Sequence, residues 1–230
     1  MTLTPDDIEA IVLSVKVAVV ATLCSLPLAD FVAYVLARWD FWGKALLNGL
    51  VHLPLVLPPV VTGYVLLLTF GRRGWIGEYL EQCCDLVLAF RWTGAALAAA
   101  VMAFPLTVRA IRLSIESVDP KLEQAASTLG ASPFMTFVLV TLPLSLPGIL
   151  AGTILGFAKA LGEFGATITF VANIPGQTRT MATAIYTYTQ SPTGDEGAFR
   201  LTLISIGIAM LALLLSELCA RHIHRKAADL

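Results

Sequence analysis

Residues 45–71, 92–108, 124–158 and 201–216 of this chain carry no acidic side chain, lysine or arginine. A helix needs roughly 20 apolar residues to cross the hydrocarbon core of a bilayer, and the longest of these runs exceed that. With 57% of residues hydrophobic and 13% charged, the chain lacks the polar side chains to clothe a water-soluble body of its size. Lipid is therefore the solvent that the sequence asks for. Only helices and closed barrels satisfy every backbone group inside a bilayer, and runs of this length predict an all-α polytopic membrane protein.

Reading apolar runs against breakers places about five spans, at residues 10–37, 46–70, 92–114, 137–160 and 200–220. Residues 164–172 are apolar but too short to cross, so they read as a re-entrant or broken piece buried in protein. Residues 1–9 read as an external tail, 10–220 as the membrane domain and 221–230 as a basic tail. A secretory signal would open on positive charge, whereas Asp6, Asp7 and Glu9 precede the first run; the first span is expected to remain in the mature protein. Counting five spans puts Arg38, Lys44, Arg109, Arg112, Lys121, Arg221, Arg225 and Lys226 on one side. The positive-inside bias makes that side cytoplasmic and the N-terminus external. Arg72, Arg73, Arg91, Arg179 and Arg200 fall outside, most of them accompanied by Glu78, Glu81, Asp85, Asp195 and Glu196.

Net charge is -1, which gives nucleic acid no basic face to bind. Cys24 and Cys219 lie in apolar runs, and Cys83 and Cys84 sit together in what reads as a polar loop, a spacing that fits no zinc or redox site. Gly43 and Lys44 lack the upstream glycine and the following hydroxyl of a phosphate-binding loop, so the chain has no means of hydrolysing ATP. No nucleophile elbow, HExxH or paired His and Cys ligands appear. His52 reads as a hydrogen-bonded helix residue.

Prolines recur at membrane depth, at positions 27, 54, 58, 59, 105, 143 and 147, and each removes a backbone donor. Kinked packing helices are one reading. The other is that residues 52–63, with Pro58 and Pro59 adjacent, line a route that changes shape. Charges in spans invite a functional reading too. Lys159 and Glu163 are four apart, where a helix lets them pair; alternatively Lys159, with the hydroxyls of Thr167 and Thr169, lends weak positive potential to a path for a dianion. Asp30, Arg109 and Arg112 are expected to be satisfied by neighbours or by snorkelling.

The most informative segment lies between the third and fourth spans, at about residues 117–136. Asp119 is a good N-cap and Pro120 suits the first helical position; Gly130 supplies a left-handed end. Ser132 and Pro133 repeat the start signal, predicting helix, tight turn, helix at the membrane surface. Leu122, Ala125, Ala126 and Leu129 share one face, with small residues at its centre, a shape suited to docking in a groove.

This segment resembles the signature loop of ABC importer permeases, in which Glu-Ala-Ala, three residues, a glycine and nine residues precede Ile-x-Leu-Pro. Ala125, Ala126, Gly130, Leu142 and Pro143 match, Val140 stands for isoleucine, and Gln124 occupies the glutamate position with Glu123 one residue earlier. The likeness extends over nearly the whole chain, and residues 44–77 and 158–187 are more similar to the molybdate-specific permeases than to the sulfate ones. The resemblance implies that Asp119, Pro120, Leu122, Glu123, Gln124, Ala125, Ala126, Gly130 and Pro143 form the coupling to a partner ATPase. It implies a homodimer in the cytoplasmic (inner) membrane of a bacterium, two ATPase subunits inside and an external molybdate-binding protein; the prolines, charges and hydroxyls themselves suggest, as a hypothesis, a path near Pro58, Pro59, Lys159, Glu163, Thr167 and Thr169. ATP and Mg would be bound by the ATPase, leaving this subunit without cofactor, metal or catalysis of its own. Sulfate or thiosulfate is the alternative cargo. An ion-coupled secondary transporter would need coupling carboxylates and internal repeats, neither of which is visible.

Overall fold

The computed structural model describes residues 3–228, with the side chains of 216, 217 and 219–228 left outside the description. Among the described residues every regular element is helical. Helix α1 (Pro5–Arg38) begins at a capping box in which Thr4 accepts from the Asp7 amide and the Asp7 side chain accepts from the Thr4 amide, satisfying two orphan donors at once. Residues 5–9, expected to be a tail, are instead its opening turns, and Asp7 is fully buried.

The second expected span is two helices, α2 (Lys44–Val56) and α3 (Pro59–Phe70), bent by 113°. Their junction follows from local sterics. A residue before proline is pushed out of the helical region, and both Leu57 (ψ 144) and Pro58 (ψ 133) precede one. Two extended residues in succession end one helix, and Pro59 opens the next where its missing N–H is harmless. Helix α4 (Trp75–Cys84) replaces the expected polar loop; Cys83 and Cys84 are exposed free thiols at its end, while the side chain of Cys219 lies outside those described.

Helix α5 (Trp92–Ser117) is the centre of the bundle, burying Ala95, Ala96, Ala98, Ala99, Met102 and Ala103 against α1 and against α8 (Leu142–Leu161). Contact with α8 is made through glycines. A Cβ at Gly148 would lie 2.0 Å from the Ser114 Cβ, and one at Gly156 would lie 2.4 Å from the Thr107 hydroxyl oxygen. In lipid no water drives helices together, so close backbone approach through small residues supplies the packing energy. Ser114 also donates to the Ser145 carbonyl across this seam at 3.2 Å.

Between these spans lie α6 (Pro120–Thr128) and α7 (Pro133–Thr136), which leads through a π turn (Phe137–Thr141) into α8. The chain then runs through α9 (Gly165–Val171), α10 (Met181–Thr189) and α11 (Asp195–Ala228). Helix α9 is the short buried piece expected at 164–172: Ala166, Thr167, Phe170 and Val171 are inside. Four helices are long and apolar enough to cross a membrane, α1, α5, α7 to α8 and the 195–215 part of α11, and the bent α2 and α3 make a fifth if counted as one span. The basic side chains expected at 221–230 are outside those described.

Candidate functional site

Two places gather the residues singled out from sequence: the α6 loop at one end of the bundle, and the corner where α3 meets α9.

The α6 loop forms as its caps dictate. Asp119 accepts from the Lys121 amide at 2.9 Å, Pro120 takes the first helical position, and Gly130 adopts φ +90°. The amide of Ala131 then donates to Ala126 O at 3.1 Å, closing the helix with a left-handed C-terminal motif. Ser132 accepts from the Met135 amide and starts α7. No residue of α6 is buried. Its apolar face is open, with Leu122 at 48% and Leu129 at 89% exposure; Gln124 and Ala125 are exposed and Ala126 half-buried. Phe134 and Met135 extend the same kind of surface onto α7. A helix held outside the bundle with an uncovered apolar face and small residues in its middle is shaped to be gripped.

Glu123 differs from its neighbours. Its carboxylate accepts from Arg38 Nε at 3.1 Å and from the Thr141 hydroxyl at 2.6 Å, tying α6 to the last turn of α1 and to the start of α8. Pro143 follows directly: lacking an N–H, it leaves Leu139 O without its usual helical partner, and the Leu142 amide reaches back five residues to Phe137 O, which makes the π turn.

At the second place, Pro58 and Pro59 stand exposed at the corner, and α3 lies against α9 so tightly that a Cβ at Gly165 would come 2.6 Å from the Pro59 Cβ. Lys159 and Glu163 pair at 2.9 Å. The other carboxylate oxygen of Glu163 accepts from the Ala166 amide at 3.0 Å. Because α8 ends at Leu161, Glu163 sits in the break between α8 and α9 and serves both: counter-charge for one, cap for the other. It is 3% exposed.

The structure corrects the sequence reading on three points here. Thr167 is 1% exposed, packed inside the subunit and unavailable to a path. Thr169 spends its hydroxyl on Gly165 O at 2.9 Å, and Lys159 is neutralised, so the three do not form a positive strip. Asp30 was expected to find a partner, yet its Oδ1 is buried without a hydrogen bond; it borders an aromatic-walled cavity of about 500 Å³ lined also by Phe31, Tyr34 and Phe137. Arg112 meets expectation, bonding Glu116 at 2.7 Å and Asn48 at 3.0 Å, Arg109 is exposed, and His52 bonds Asn48 O at 2.8 Å. Among the described residues no group of three His, Cys, Asp or Glu is placed to hold a metal.

A further cluster, at the opposite end from α6, has no signal in the sequence. Asp7 on α1 accepts from Tyr188 on α10 at 2.9 Å and from Arg200 on α11. Burial and the bond to Asp7 push the Tyr188 phenol above its ordinary value, so it remains a donor.

Residues 25–227 match the family described as binding-protein-dependent transport system inner membrane component. The chain is 59% identical over 221 residues, 96% of each chain, to the molybdenum transport system permease protein ModB of Escherichia coli K12. It is 57% identical over 220 residues, again 96% of each, to ModB of Haemophilus influenzae. A bacterial alginate ABC transporter, solved in complex with a pentasaccharide-bound periplasmic protein, superposes with a TM-score of 0.72 at 17% identity, over 97% of this chain and 80% of that one. An all-helical bundle of this topology, with an exposed helix–turn–helix between its central spans, agrees with these matches: the chain belongs to the inner-membrane permease family of binding-protein-dependent ABC importers.

Proposed function

We propose that this chain is the permease of an ATP-driven importer that carries molybdate, and tungstate of nearly equal size and charge, across the inner membrane. The single observation that carries the substrate is likeness along almost the full length to the Escherichia coli molybdenum transport permease. Two copies form a homodimer with the route on the two-fold axis; two ATPase subunits bind the α6 loops on the cytoplasmic side, and a molybdate-binding protein delivers cargo to the other. The N-terminus is external, which the basic residues Arg38, Lys44 and Lys121 on the α6 side support.

In this reading the ATPase grips the exposed face of Leu122, Ala125, Ala126 and Leu129, and closure of the ATPase dimer moves α6 and with it the spans. Along the route the exposed corner at Pro58 and Pro59 offers backbone rather than charge. Lys159 carries its own counter-ion, so the conduit holds a dianion weakly. Weak holding suits transport, since an ion bound tightly does not leave, and selectivity then rests on the external binding protein.

Uptake of labelled molybdate into proteoliposomes containing this chain, its ATPase and its binding protein tests the reading, with excess sulfate as competitor. ATP-dependent uptake untouched by sulfate is expected. Uptake abolished by sulfate would move the cargo to sulfate within the same architecture, and uptake without ATP would sink the ABC mechanism.

A further inference from the structure

Helix α6 has no buried residue, yet one of its side chains is turned inward. Glu123 is 18% exposed and Arg38, its partner, 15%. A single carboxylate oxygen, Oε1, accepts from Arg38 Nε at 3.1 Å and from Thr141 Oγ1 at 2.6 Å, and a terminal nitrogen of the same guanidinium lies 3.0 Å from it. The guanidinium also donates to Val118 O at 3.0 Å, the residue that caps α5. Through these bonds α6 is tied to the ends of α1 and α5 and to the beginning of α8. Its backbone links are short, residues 118–119 towards α5 and residues 129–132, with the left-handed Gly130, towards α7.

Charge-assisted bonds of this kind are shorter and about twice as strong as neutral ones, and partial burial limits their screening by salt. Thr141 is the last residue of the π turn, a place where helix register is locally altered and which is often found at functional sites. Its hydroxyl bonds Glu123 rather than a carbonyl of its own helix.

We propose that Arg38, Glu123 and Thr141 form a positioning strut: they make α6 move as one body with α1 and α8, so that displacement of the loop is delivered to the spans instead of being absorbed in the loop joints. Glu123 thus faces its own subunit, and the gripping surface is left to Leu122, Ala125 and Leu129. The strut rests on the reading that α6 is the ATPase contact.

The test uses the full complex in proteoliposomes, measuring ATPase co-purification, ATP hydrolysis and molybdate uptake on the same preparation. Arg38→Gln and the nearly isosteric Thr141→Val should retain the ATPase and hydrolyse ATP, while molybdate moved per ATP falls about tenfold for the first and about threefold for the second. The reversed pair, Arg38→Glu with Glu123→Arg, should recover most of the loss. An unchanged ratio of uptake to hydrolysis in both single variants would overturn the strut, as would a reversed pair no better than either single change. Leu129→Asp separates the two ideas: loss of ATPase binding is expected, and normal binding would overturn the contact reading and the strut with it. If Arg38→Gln does not insert, Thr141→Val, which alters no charge, decides.

Discussion

Asp7 and Arg200 lie 193 positions apart in the chain, and the guanidinium of Arg200 hydrogen-bonds a carboxylate that is wholly buried. The carboxylate was taken wholly out of water and the guanidinium largely so, and removing the guanidinium leaves a buried carboxylate stranded at a cost of about 3–5 kcal/mol. Asp7→Asn and Arg200→Gln should each lower the thermal unfolding temperature of the purified protein markedly. The double change Asp7→Asn with Arg200→Gln should cost less than the sum of the two single changes. Strict additivity in that cycle would show that the two side chains do not interact.

Gly130 has open space around its missing Cβ and a φ of +90°, so a substitution there is opposed by backbone strain alone. Gly130→Val carries a penalty of roughly 1–2 kcal/mol or more for the left-handed region, whereas Gly130→Asn enters it more readily. Valine should uncouple ATP hydrolysis from uptake and asparagine should largely preserve it. Normal uptake by a fully assembled valine variant would falsify the role given to this turn.

The glycine seam between α5 and α8 makes the opposite kind of prediction, one of space. Gly148→Ala and Gly156→Ala drive a methyl into Ser114 and Thr107, and overpacking of this sort costs about 1–3 kcal/mol. Gly49→Ala, with nothing within 4 Å, should be neutral or slightly stabilising, since alanine is the better helix former. Thermal melts of the three variants in one detergent read the contrast directly.

Glu163 holds Lys159 with one oxygen and caps α9 with the other. Glu163→Gln keeps an acceptor for the Ala166 amide and gives up the ion pair; Glu163→Leu gives up both. The leucine variant should be the less stable by about 1 kcal/mol or more. Equal loss in both would assign the whole effect to the ion pair.

Features whose cause is local were legible in the sequence. The caps of α6 and α7, the left-handed Gly130 and the short buried α9 all follow from a few neighbouring residues, as do four of the five spans. The broken span was misread because hydropathy runs evenly through residues 46–70 while the steric signal sits in Leu57, Pro58 and Pro59 alone. Helices α4 and α10 are too short and mixed in polarity to show a strong period. The capping box at Thr4 and Asp7 is equally local, but in the sequence it is masked by the charge of that stretch. Gly148, Gly152 and Gly156 stood at fourfold spacing and could have announced the seam. Asp7 with Arg200, and Arg38 with Glu123, could not: they join residues 193 and 85 positions apart, and a single sequence says nothing of who meets whom in space.

The corner at Leu57 and Pro58 has a mechanical implication. Proline rings fix φ at two successive residues, and each of the two residues that precede a proline is denied the helical region, so most of the soft dihedrals at this junction are already spent. Such a junction has few free dihedrals with which to hinge about its 113° angle, and its chemistry is that of a bracket. Under the proposed function, alternation between inward and outward openings would fall to whole helices tilting about their neighbours, with α2 and α3 swinging as one angle.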